Sequence, residues 1–250
     1  MTEFVGYIRD ILLNAPPETD SYLHDLPIVQ YLISKKSLSL SSNVTFFVGE
    51  NGTGKSTLLE AIAVAYGFNA EGGTKNFNFS TNATHSPLWK HLTLTKQRYA
   101  EDGFFLRAES LYNVATNIEE LDKISAAAPP ITGSYGGVSL HHQSHGESFL
   151  SIVQNRFGGN GLYILDEPEA ALSPMRLLTL MVEMQSLVDR RSQFIIATHS
   201  PMLLAFPDAE ILEFSQNGVA SVTYRETEHY LVTKRFLDDP ESMLNYLLKQ

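Results

Sequence analysis

Apolar and polar positions alternate along residues 4–9, which predicts a strand, and Pro16-Pro17 ends whatever precedes it. A short helical pattern over 28–33 leads to 44–48, a run of β-branched and aromatic residues that reads as a buried strand. Residues 55–66 then form a helix, with Leu58, Leu59, Ile62, Ala63 and Tyr66 near helical spacing. The stretch 69–87, rich in Asn, Gly, Ser and Thr, reads as a long and mobile loop. Strands are expected over 91–97 and 103–108, with Glu101-Asp102-Gly103 as a hairpin signal between them. A helix over 111–124, a loop over 126–137 and a helix over 147–157 follow, the last closed by Gly158-Gly159. Residues 162–165 are an apolar strand that runs into acids. Pro174 opens a helix to about 189, whose apolar face comprises Leu177, Leu180, Met181, Met184, Leu187 and Val188. After a strand over 194–197, segments 209–214 and 219–224 pair around Asn217-Gly218, and the last 25 residues read as polar helices. Strands alternating with helices, without repeats or linkers, predict one α/β domain over 1–250 with a mostly parallel central sheet.

Composition narrows the classes of function. The 250 residues contain no Cys, which excludes disulfide frameworks, thiolate metal sites and Cys nucleophiles. MTEFVGYIRD lacks the basic-then-apolar layout of a secretory signal, and no apolar run approaches the roughly 18 residues of a membrane span. The expectation is a cytoplasmic protein without membrane insertion. Its 28 Asp and Glu against 18 Lys and Arg give a net charge of -10, which weakens a reading as a nucleic-acid binder.

Four motifs carry candidate chemistry. Gly49-Glu50-Asn51-Gly52-Thr53-Gly54-Lys55-Ser56 matches G-x-x-x-x-G-K-[ST] between an apolar strand and an amphipathic helix. Glycines let backbone N–H groups curl around phosphate oxygens; Lys55 reaches the β/γ-phosphates, Ser56 suits Mg²⁺, and Thr57 is a further phosphate contact. Leu162-Tyr163-Ile164-Leu165-Asp166-Glu167 ends a strand in two carboxylates, at the sheet edge that also carries the phosphate loop. Asp166 is suited to hold Mg²⁺, and Glu167 to orient or deprotonate the attacking water. His199 follows another apolar strand, from which an imidazole could bond a γ-phosphate oxygen. Ser144-His145-Gly146-Glu147 has the form of a capping box at a helix start, which is also an anion site.

In this order the motifs resemble those of ATP-binding-cassette ATPases, in their soluble branch. GENGTGKST resembles the phosphate loop, SHGES the signature that transporters more often write LSGGQ, LYILDEPEAALSP the acidic strand with its dimer-contact loop, and ATHSP the switch histidine. The likeness spans about residues 1–215 and extends to stand-alone bacterial AAA-family ATPases and to RecF-type and chromosome-maintenance heads. It implies a mostly parallel sheet with an antiparallel β part and a small helical subdomain near 110–158. It further implies ATP and Mg²⁺ as cofactors, ATP hydrolysis, and a head-to-tail homodimer closed on two ATP molecules. Gly49–Thr57, Asp166, Glu167 and His199 of one copy would then face Ser144, Gly146 and Glu147 of the other, with Ala171, Leu172 and Ser173 at the seam.

Three departures accompany the likeness. The family's metal-touching Gln is replaced by Glu109 at the end of the strand over 103–108, while Gln97 lies one strand earlier. No adenine-stacking aromatic is evident, Tyr22 and Tyr31 reading as ordinary packing, and coiled-coil arms are absent between Gln97 and Ser144. His141, His142 and His145 invite a metal reading, but their spacing does not support one. The leading expectation is an ATP-driven dimer switch serving DNA maintenance, defence or another regulatory system, with a further protein partner left open. The alternative is the nucleotide-binding subunit of a membrane transporter.

Overall fold

A computed structural model describes residues 6–74, 85–124 and 131–248. Its centre is a six-stranded sheet in the order β5-β6-β7-β3-β8-β9, from β3 (Val44–Gly49), β5 (Asp102–Arg107), β6 (Gly161–Asp166), β7 (Gln193–Ala197), β8 (Glu210–Ser215) and β9 (Gly218–Val222). The first five strands of that order run parallel, and β9 returns antiparallel from β8 through the Asn217-Gly218 turn. A smaller antiparallel sheet, β2-β1-β4, is made by β1 (Ile8–Leu13), β2 (Ser37–Ser39) and β4 (Leu92–Lys96).

Near-continuous apolar runs in β3, β5, β6 and β7 follow from burial on both faces of a parallel sheet. Alternate residues feed two cores. Phe46, Val48, Phe104, Leu106, Tyr163, Leu165 and Ile196 join one, covered by α3 (Leu111–Ile124), α4 (His145–Arg156) and α5 (Pro174–Asp189). Phe47, Phe105, Ile164, Ile195 and Phe214 join the other, beneath α1 (Pro27–Lys35), α2 (Lys55–Tyr66) and the small sheet. The two sheets are joined by Gln193, a fully buried side chain. Its Oε1 accepts from the Tyr7 and Ile8 N–H groups at 2.7 and 2.9 Å, and its Nε2 donates to the Ile8 carbonyl at 2.9 Å. A buried amide is tolerated because its hydrogen-bonding capacity is used.

The hairpin expected at Glu101-Asp102-Gly103 is not formed, because β4 and β5 belong to different sheets. Gly103 lies within β5 for a packing reason: a Cβ there would sit 2.7 Å from the Phe68 ring and 2.9 Å from the Leu162 carbonyl. Asp102 is an anchor and not a turn residue. Its carboxylate accepts from Arg156 at 2.7 Å, the Gly158 N–H at 2.8 Å and the Tyr163 hydroxyl at 2.8 Å. The first strand begins at Ile8, inside the alternating run over 4–9, and continues to Leu13, while residues 4 and 5 of that run lie outside the described residues. Parts of the two expected loops, 75–84 and 125–130, also lie outside them, and Ile131–Tyr135 forms a 3₁₀ turn. The C-terminal helices are α6 (Glu228–Asp238) and α7 (Pro240–Leu248). Among the described residues no helix is long and apolar enough to cross a membrane.

Candidate phosphate and carboxylate site

Parallel strands bring their C-terminal ends to one edge, so β3, β5, β6 and β7 deliver Gly49, Arg107, Asp166 and Thr198-His199 to the same rim. Gly49 leaves β3 with φ +123°, and Gly54 enters α2 with φ +94°. A Cβ at Gly54 would lie 2.5 Å from Ile28 Cγ2, and the Ile28 N–H donates to the Thr53 carbonyl at 3.3 Å, so α1 braces the loop. Within the loop, the Thr53 hydroxyl donates to the Glu50 carbonyl at 2.8 Å. Lys55 Nζ turns back over the loop and donates to the Gly49 and Glu50 carbonyls at 2.7 and 2.8 Å. An ammonium has three N–H groups, so one remains for an incoming acceptor. Burial lowers the Lys55 pKa, an effect opposed by the charges of Glu167 and Asp166.

Gly54, the N-cap of α2, offers no side chain to the first helical turn. The N–H groups of that turn therefore suit an anion. Beside them the Ser56 hydroxyl donates to Asp166 Oδ1 at 3.1 Å. Hydroxyl and carboxylate oxygens are the hard donors that Mg²⁺ prefers, so the loop fits a nucleotide phosphate and its metal. Burial pushes Asp166 up to about 6, with Glu167 and Glu109 adding to the rise and Arg107 and Ser56 opposing it.

Arg107, which sequence reasoning missed, makes the direct contacts around this carboxylate. Its Nε lies 3.4 Å from Asp166 Oδ2, its Nη1 donates to Glu60 at 3.0 Å, and its Nη2 pairs with Glu109. Glu109 itself is largely exposed, and among the described residues no hydrogen bond or ion pair joins it to Ser56 or Asp166.

Glu167 adopts a left-handed backbone (φ +49°, ψ +54°) that costs on the order of 1–3 kcal/mol in a non-glycine residue. Its N–H is held by the Ala197 carbonyl at 3.0 Å, and its half-exposed carboxylate lies 3.8 Å from His199 Nε2. Glu169 was also missed. It is mostly buried and accepts from the Thr198 hydroxyl at 2.8 Å and from the His199 N–H, pinning the backbone that carries the imidazole.

The N-terminus of α4 stands apart from this rim. Ser144 and Glu147 form the expected capping box: the Ser144 N–H donates to Glu147 Oε2 at 2.9 Å, and the Glu147 N–H donates to Ser144 Oγ at 3.4 Å. Arg176 of α5 donates to Ser144 Oγ at 3.2 Å and to Glu147 Oε1 at 3.0 Å. A Cβ at Gly146 would lie 2.6 Å from Arg176 and 2.8 Å from the Ala171 carbonyl, so this helix start is packed against the loop before α5. Among the described residues no hydrogen bond or ion pair joins Ser144, Gly146 or Glu147 to residues 49–57. His141 is occupied elsewhere, with Nε2 3.1 Å from the Thr116 hydroxyl and its ring edge-on to Tyr112.

A family model described as "AAA domain" matches residues 28–107, and one described as "AAA domain, putative AbiEii toxin, Type IV TA system" matches 133–205. Among solved structures, cbiO1 from Clostridium perfringens, part of the ABC transporter complex cbiONQ, shares the architecture at a TM-score of 0.52 and 16% identity, covering 98% of this chain and 100% of that one. The chain has the fold of an ABC-type P-loop ATPase. The SMC head domain from Thermotoga maritima aligns at a TM-score of 0.45 and 15% identity, over 87% of this chain and 99% of that one. None of the curated proteins compared matches the chain. Within the ABC-type fold, the two matched stretches bracket the site: the first contains the phosphate loop and Arg107, the second the helix start at Ser144, both strand-end acids and His199.

Proposed function

We propose that the protein binds ATP with Mg²⁺ on the phosphate loop and hydrolyses it, working as a head-to-tail homodimer that nucleotide closes. The observation that carries this reading is the meeting, at one sheet edge, of Lys55, the Ser56–Asp166 pair and the Glu167–His199 pair.

Lys55 and the first-turn N–H groups of α2 hold the β/γ-phosphates, with Thr57 as a further contact. Ser56 and Asp166 would hold the metal, and Glu109 would reach it only after leaving Arg107. When bound, Mg²⁺ neutralises charge on the β/γ-oxygens. Glu167 orients the attacking water and accepts its proton as the water oxygen bonds to the γ-phosphorus and the bridging oxygen leaves with ADP. His199 Nε2, on the same side as the Glu167 carboxylate, bonds a γ-phosphate oxygen.

The capped start of α4 supports the dimeric part of the reading. It is a helix N-terminus whose capping residues Ser144 and Glu147 are exposed, and among the described residues it makes no hydrogen bond or ion pair to its own phosphate loop. Offered by a second copy, it would complete the anion site only while the γ-phosphate is present. The toxin–antitoxin wording of the second matching family and the acidic balance both favour a defence setting over DNA maintenance.

Glu167→Gln tests the proposal. Phosphate release should fall at least about 100-fold while ATP binding persists, since a positioned base contributes that much or more. Gel filtration with ATP should then show a lasting dimer. Unchanged turnover would remove Glu167 from this role.

A further inference from the structure

The switch imidazole is not free to choose which nitrogen carries its hydrogen. His199 Nδ1 lies 3.0 Å from Nε2 of His229, a first-turn residue of α6, and the two rings pack at 5.1 Å between centroids. His229 lies outside both matched family stretches, beyond residue 205. It is held by a well-built helix start: the fully buried N-cap Thr227 donates to the Tyr224 carbonyl at 2.8 Å and accepts from the Tyr230 N–H at 3.3 Å.

Two neutral imidazoles joined in this way share one hydrogen, which belongs either to His199 Nδ1 or to His229 Nε2. Two independent observations decide between them. His229 Nδ1 is buried and has no hydrogen-bond partner. A hydrogen there would be an orphaned buried donor, the rarer and costlier defect, so the hydrogen of His229 sits on Nε2 and points at His199. On the far side, His199 Nε2 lies 3.8 Å from Glu167 Oε1. A lone pair there would face a carboxylate, whereas an N–H is attracted by it. Burial also lowers the pKa of both rings, with Lys55 adding to the effect on each and His199 to that on His229, in keeping with a neutral pair.

We infer that His229 is a positioning residue for the reaction: its Nε2–H donates to His199 Nδ1 and so fixes His199 as the Nε2–H tautomer, with its donor aimed at the γ-phosphate. The role in turnover rests on the ATPase reading above; the tautomer does not. A second neutral imidazole achieves this without adding a carboxylate that would draw the His199 proton the other way.

The experiment is long-range ¹H–¹⁵N correlation on histidine-labelled protein without nucleotide, well above the ordinary imidazole pKa, with His199 assigned through His199→Gln. In the parent protein His199 should show hydrogen on Nε2 and a bare Nδ1. In His229→Phe, which keeps a packed ring, that pattern should give way to a tautomer mixture; in His229→Gln, whose amide N–H can replace the donor, it should return. ATP turnover should follow, falling about tenfold in His229→Phe at nearly unchanged KM and recovering to within about twofold in His229→Gln. Hydrogen on Nδ1 of His199 in the parent protein overturns the inference, as does a tautomer unmoved by His229→Phe. Absence of turnover in a parent protein whose Nε2 hydrogen is lost in His229→Phe overturns the ATPase reading and upholds only the control of the tautomer by His229.

Discussion

At Gly49 the backbone must turn with φ +123°, and the space beside it is already taken: a Cβ would lie 2.0 Å from the Phe214 carbonyl oxygen of β8. Strain and overlap act together there, so Gly49→Ala should destabilise the fold by about 3 kcal/mol. Gly52 separates the two effects. It has φ +82° but open space where a Cβ would stand, so Gly52→Ala meets backbone strain alone and should cost only about 1 kcal/mol. Urea midpoints of the two variants check the ranking, and equal midpoints would contradict the geometry. These glycines were legible in the sequence because a phosphate loop is local, with its spacing and turns contained in consecutive residues. Arg107, Glu169 and His229 were not, because each acquires meaning only across a gap. Arg107 meets Asp166 through the register of β5 on β6, Glu169 meets the backbone after β7, and His229 arrives from α6. A basic residue at a strand end and a His near a helix start carry no mark of their partner.

Elements show the same division between what is local and what is not. Helices α2, α3 and α5 follow their apolar spacing, and the β8–β9 hairpin follows its Asn-Gly turn, since each signal and its consequence occupy one stretch of chain. The Glu101-Asp102-Gly103 signal misled because polar and glycine residues mark turns only when both flanking strands share a sheet. Here Asp102 instead fastens β5 to the end of α4 and to β6, beside Phe157 stacked on Tyr163 at 4.1 Å. Burial alone would raise the Asp102 pKa, but the Gly158 N–H, Arg156 and the Tyr163 hydroxyl outweigh it and hold the carboxyl below its ordinary value. A carboxylate lowered on folding contributes stability that is full above its unfolded pKa and is lost as pH falls through the folded one. Asp102→Asn, which leaves Arg156 mostly buried and unpaired, should therefore cost about 3 kcal/mol at neutral pH. The gap from the parent protein should hold down to about pH 5 and close below about pH 4. Chemical denaturation across that range measures it; a gap constant to the lowest pH would mean that the carboxylate's charge contributes nothing.

For the whole molecule the decisive fact is a separation: the phosphate loop and the capped start of α4 are both well built, yet among the described residues no hydrogen bond or ion pair joins them. Arg176 ties Ser144 and Glu147 to α5, and Gly146 packs on the Ala171 carbonyl. In the proposed dimer the helix start and the loop at 171–173 would therefore approach a second copy as one unit, and closure should engage both or neither. If each proposed site is divided between two copies, defects in its two halves should complement. Lys55→Ala removes the phosphate-loop half, and Ser144→Trp, at an exposed position, blocks the α4 half, so each variant alone should be inactive. Random pairing of the two makes about half of all dimers mixed. A mixed dimer joins the intact loop of one variant to the intact helix start of the other at one of its two sites. Mixing equal amounts should thus restore about a quarter of the parent turnover. Recovery should rise and fall with total protein concentration, as a pairing equilibrium requires. A mixture as inactive as its components would place both halves of the site in one chain and require α4 to reach its own phosphate loop.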